Sequence, residues 1–211
     1  CVARKAKQET HPEDLLIDAG MALAAEGGWR GLSIATVAAK AEVALPQALR
    51  IYPSKIRILT GLARRIDTVV LEGTSARLDD AETPRDRLFD VLMRRFDALQ
   101  PYKPGLRNII RDLPGELPRD PLATACQLGN ILGSMHLTLE IAGIPTAGIV
   151  GGIKAKVLAA IYANALRVWL DDDSPDLAPT MAVLDRGLMQ AEKLATVFST
   201  ATDEAMPFAD K

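Results

Sequence analysis

Cysteine is scarce in this sequence. Cys1 and Cys126 are the only two, and their separation fits no metal-binding pair. Two distant thiols cannot build a disulfide scaffold and suit a reducing compartment. Histidine is equally scarce, with two residues. No Gly-rich phosphate loop follows a candidate strand, and no nucleophile elbow is present. The chain is therefore not expected to be an enzyme, and no catalytic residue, metal ligand or cofactor is assigned. Only nine residues are aromatic (two Trp, three Tyr, four Phe), so the core must be aliphatic. No run of alternating apolar residues signals a sheet, whereas Ala, Leu and Met favour helix. Residues 131–152, the most apolar stretch, are interrupted by His136, Glu140 and Pro145, so no membrane span is expected there. The opening residues carry charge and no apolar h-region, so no signal peptide is read and the expected location is the cytoplasm.

What is present is an ordinary globular composition over 211 residues, 48% hydrophobic and 25% charged. The net charge of −2 hides an asymmetry. Residues 1–66 hold ten Lys/Arg against six Asp/Glu, and the remainder hold 15 against 21. A basic head on an acidic body is expected if the head alone meets phosphate.

Breaker residues divide the chain into helical pieces. Pro12, Pro84, Pro121 and Pro175 each open one, with Thr83, Asp120 and Ser174 as candidate caps. The first helix runs from about Glu13 to Glu26 and stops at Gly27-Gly28. A second starts after Ser33, a short third spans about Leu45 to Ile51, and a fourth runs from Ser54 to about residue 77. Pro84 to Gln100 and a short piece near Leu106 to Asp112 follow. Three long helices come last: Pro121 to Ala142, Ile149 to Leu170, and Pro175 to about Phe198. The last carries Leu177, Met181, Leu184, Leu188, Ala191, Ala195 and Phe198 at spacings of four and three, a coiled-coil-like seam. That seam predicts a homodimer through the last two long helices. The acidic run Asp171 to Asp176 lacks the calcium-loop pattern and precedes a helix start, where carboxylates are favoured by the dipole.

Two short helices joined by a tight turn and followed by a longer one are the elements of a helix-turn-helix. Gly28-Trp29, Ser33, Val37-Ala38, Val43 and Tyr52-Pro53-Ser54-Lys55 stand in an order that resembles the tetracycline-repressor (TetR) family over about the first 66 residues. The resemblance implies an all-α fold. A three-helix DNA-binding domain would occupy residues 1–53 and a ligand-binding and dimerisation domain residues 54–211, joined by the fourth helix. It also implies a transcriptional regulator that binds double-stranded operator DNA and is released by a small hydrophobic ligand. Ser33 would cap the second helix, whose N–H groups then face a phosphate. Lys55, in a first turn where a cation opposes the dipole, would meet another phosphate. Thr36, Lys40, Gln47 and Arg50 complete the expected DNA-facing set, with Gln47 and Arg50 suited to adenine and guanine.

The third helix departs from the family pattern. Ala44 stands where a capping Ser or Thr is common, Leu45 where a cation is, Leu49 where a phosphate-binding Tyr is, and Glu42 where the turn has a small residue. Leu45, Ala48, Leu49 and Tyr52 also form an ordinary inward stripe, which conflicts with the family placement of the two leucines near DNA. The last two helices faintly resemble a lipid-binding ubiquinone-biosynthesis protein that keeps the TetR fold without DNA binding, which is the alternative reading. Polar and aromatic groups on apolar helices make Phe89, Met93, Phe96, Cys126, Asn130, His136 and Tyr162 the candidate ligand contacts.

Overall fold

The computed structural model describes residues 11–74, 82–112 and 121–205, without the side chains of 121–128 and 196–205. The fold is all-α, with no strand among the described residues. Its helices are α1 (Pro12–Gly27), α2 (Ile34–Lys40), α3 (Leu45–Ile51), α4 (Lys55–Glu72), α5 (Pro84–Leu99), α6 (Lys103–Asp112), α7 (Pro121–Ile141), α8 (Gly148–Asp171) and α9 (Ala178–Ala205). The breakers act largely as expected. Pro12 and Pro84 occupy the first turns of α1 and α5, and Thr83 caps α5 by accepting the Asp86 N–H at 3.2 Å. Asp120 lies outside the described residues.

Contacts divide the chain into two compact units, 1–65 with 101–128, and 66–100 with 129–211. The first unit thus gathers α6 with the N-terminal helices. Its core is Leu16, Ile17, Met21, Ala24, Trp29, Val37, Ala48, Ile58 and Leu62, with Ile109 from α6. α6 lies so close to α1 that a Cβ on Gly105 would stand 2.6 Å from the Met21 carbonyl oxygen. At the far end of α1, the Asn108 side-chain amide donates to the Ala24 and Ala25 carbonyls at 3.0 and 3.1 Å, the first of which also accepts the Gly28 N–H. Arg65 ties α4 to Asp14 and Asp18 of α1 and to the Tyr102 hydroxyl.

The second unit packs α8 against α9 and both against α5. Leu184 and Leu188 are buried in this unit, against their own chain. Two residues of the seam read on the last helix are thus covered within this unit, whereas Leu177, Met181 and Ala191 are half-buried and Ala195 is exposed; the Phe198 side chain lies outside the described residues. Apolar side chains stand in solvent on α8: Ile149, Val150, Ile153 and Val157, with Ile149 85% exposed. Among the described residues, α8 is also the helix long and apolar enough to cross a membrane by length and composition. Pro175 does not open the last helix. It lies in a turn, and α9 starts at Ala178 because Asp172 reaches forward to cap it. The Asp172 carboxylate accepts the Thr180 N–H at 3.1 Å, the Thr180 hydroxyl at 2.6 Å and both donors of Ser174. Burial pushes this carboxyl up, but the donors outweigh burial and hold it at about 2. The acidic run is thus a helix-capping device.

Candidate nucleic-acid interface

The interface is built on the turn between α1 and α2. Gly28 adopts φ 79, in the left-handed region, which turns the chain sharply after α1. Trp29 is fully buried behind it. Its backbone N–H donates to Asp112 of α6 at 2.9 Å, a bond that holds the Asp112 carboxyl below its ordinary range. Its carbonyl accepts the Lys55 ammonium at 3.0 Å, and that ammonium lies 5.2 Å from the indole centroid. Lys55, expected only at a phosphate, is half-buried and has this second, intramolecular role.

Ser33 caps α2 in a reciprocal box. Its hydroxyl accepts the Thr36 N–H at 3.2 Å while the Thr36 hydroxyl accepts the Ser33 N–H at 3.1 Å. Both side chains remain exposed. α2 closes in a Schellman turn, with Val43 N–H donating to Ala38 at 3.0 Å and Glu42 N–H to Ala39 at 3.3 Å. That turn requires a left-handed residue, and Glu42 supplies it at φ 54. Glycine does this without a Cβ penalty, so Glu42 carries strain where α2 hands over to α3.

The conflict over α3 is resolved by burial. Ala48 and Tyr52 point inward, whereas Leu45 and Leu49 are 42% and 44% exposed. Arg50 is exposed and Gln47 half-buried. Lys40 is exposed and reaches Glu26 at 3.3 Å, a surface pair of little energetic weight. Arg30 and Arg57 are further exposed cations of this unit that the motif did not single out. Their signal was only their position beside the Gly-Trp turn and in the first turn of α4.

The candidate ligand residues are less united. In the second unit Phe96 is fully buried and stacks on Tyr162, centroids 5.4 Å apart, with Trp169 at 5.6 Å. Phe89 lines an open hollow of about 450 Å³ between α5 and α9, beside Met181, Asp86, Asp90 and Asp185. His136 donates from Nδ1 to the Leu132 carbonyl of its own helix at 3.0 Å. Met93 and Asn130 are half-buried, and the Cys126 side chain lies outside the described residues. The residues missed here are Arg95, Asp67 and Ser134. Arg95 is 4% exposed and forms a forked pair with Asp67, whose other oxygen accepts the Ser134 hydroxyl at 2.8 Å. Arg95 shares the inward face of α5 with Leu88, Val91 and Leu92, and a cation at such a position was the available signal. Among the described residues no group of three His, Cys, Asp or Glu is placed to hold a metal ion.

No family profile matches the chain. The chain is 30% identical over 156 residues to the HTH-type transcriptional repressor KstR of Rhodococcus jostii, covering 74% of this chain and 71% of that one. It belongs to the TetR family of transcriptional regulators. Solved structures of the family have the same fold. A TetR transcriptional regulator from Nitrosomonas europaea superposes at TM-score 0.66, with 19% identity, over 85% of this regulator and 97% of the other. A second, from Rhodococcus sp. RHA1, gives 0.62 at 19% identity over 85% and 94%. The family is one of regulators with a DNA-binding helix-turn-helix.

Proposed function

We propose that this regulator is a cytoplasmic repressor that binds operator DNA as a homodimer and lets go when a small apolar molecule enters its larger unit. The observation that carries the DNA reading is the outward face of α3. Ala48 and Tyr52 pin the helix inward, leaving Leu45, Leu49 and Arg50 to solvent. Ser33, Thr36, Lys40 and Lys55 would contact phosphates, and Gln47 and Arg50 base edges. The repressor role rests on likeness to the Rhodococcus repressor. The relatives found are transcriptional regulators, so a lipid carrier without DNA binding is not favoured.

The homodimer reading rests on the exposed aliphatic face of α8, with a second copy as its cover and α9 completing the contact. The ligand reading rests on the aromatic stack of Phe96 and Tyr162, with Phe89, Met93, Asn130 and His136 of the same unit as the other contacts. For release, the ligand must favour one spacing of the two heads over another, since equal affinity shifts nothing.

The test is selection of genomic fragments followed by anisotropy titration at two salt concentrations. Enrichment of a palindrome with half-sites about one helical turn apart, or a near multiple, is the expected result. Gln47→Ala should cost about 1–3 kcal/mol at one base position, whereas Lys40→Ala should weaken all sequences alike and flatten the salt dependence. A protein that enriches no fragment, before and after removal of copurified small molecules, is not this regulator.

A further inference from the structure

We infer that Leu45 and Leu49 read thymine methyl groups in the major groove, so that each operator half-site is specified in part by apolar contact. The inference rests on the DNA reading above and deepens it. The two leucines lie one turn apart on α3 and are 42% and 44% exposed, with Pro46 exposed between them. Neither side chain can bond a phosphate or a base edge. The C5-methyl of thymine is the apolar feature that the major groove offers, and it distinguishes T from the other bases there. Four residues of helix rise about 6 Å, close to two base steps of about 3.4 Å each. One leucine each for two thymines about two steps apart is the arrangement that follows.

Charge favours DNA as the occupant of this face over another protein. Arg50 is exposed on the same helix, Lys40, Arg30 and Arg57 are exposed in the same unit, and residues 1–66 carry a surplus of four cations. The patch is also small. Two leucines and a proline fall far short of the ~800 Å² per partner that a stable protein interface buries.

The experiment compares duplexes of the selected operator carrying thymine or uracil at the half-site positions, which differ only by the methyl groups. Uracil should weaken binding to the unaltered protein about fourfold per contacted methyl, the worth of burying one such group. Leu45→Ala and Leu49→Ala should each bind thymine and uracil more nearly alike, each at its own position. Thermal melting of both variants checks that these exposed substitutions leave the fold intact. Equal affinity of the unaltered protein for the two duplexes would overturn the inference while leaving DNA binding standing. So would an undiminished thymine preference in both variants, or variants that change only the association state in sedimentation. Failure to select any operator would overturn the parent reading and this one together.

Discussion

Several helices leave an aliphatic side chain in solvent, and α3 and α8 do so in different settings. α3 exposes two leucines on a helix of seven residues, among exposed arginine and lysine. α8 exposes Ile149, Val150, Ile153 and Val157 over two turns, continued by the small exposed residues Ala160 and Ala163. A long aliphatic stripe with small residues suits a second helix from another copy, while a short patch on a helix that carries exposed Arg50, in a unit with a surplus of cations, suits a groove lined by phosphate. The units also differ in how they use charge. In the first, half-buried Arg65 binds Asp14 and Asp18, both about half in water, whereas in the second Arg95 is buried and its partner Asp67 is half-buried. Hydrophobic exposure alone assigns no role; its surroundings do.

The sharpest break of this comparison is at the buried pair. Asp67→Ala strands the Arg95 guanidinium and should cost about 3–5 kcal/mol, read by denaturant unfolding. Arg65→Ala in the other unit should cost about 1 kcal/mol, since its carboxylate partners are half in water. Similar losses would erase the distinction between core and surface charge.

For the exposed stripes, Ile149→Glu with Ile153→Glu should convert a dimer to a monomer in sedimentation without loss of helical signal. Leu184→Glu should unfold the protein rather than merely separate copies, because Leu184 is wholly buried. A double variant that remains dimeric would remove α8 from the interface.

Packing on the first unit is tested at Gly105. Gly105→Ala forces a methyl against the Met21 carbonyl and should cost about 1–3 kcal/mol, measured by thermal melting. An unchanged melting temperature would mean that α1 and α6 approach less closely.

The smallest effects concern strain and pH. Glu42→Gly should stabilise by about 0.5–1 kcal/mol, the relief of a left-handed Cβ less the flexibility gained by the unfolded chain. Asp172 has its carboxyl held at about 2, against 3.8 unperturbed, so its stabilising effect is full above pH 4 and lost as pH falls through 2. Asp172→Asn should remove that part of the acid dependence, seen as a flatter curve of melting temperature against pH.

What the sequence by itself determined was local. Ser33 placed the start of α2, Tyr52-Pro53 the end of α3, and Thr83-Pro84 the start of α5, because caps and proline act within one turn of themselves. The order Gly28-Trp29, Ser33 and Tyr52-Pro53-Ser54-Lys55 was enough to point to the family. Facing was another matter. Leu45 and Leu49 fit an inward stripe as well as an outward one, and only the packing of Ala48 and Tyr52 turned them to solvent. Leu184 and Leu188 read as a seam for a partner until α5 and α8 covered them. Pro175 read as a helix start until Asp172 reached Thr180, eight residues on. Periodicity states that a helix has an apolar face; what that face meets depends on residues distant in the chain, such as Asp112 beneath Trp29, and only the tertiary structure brings them there.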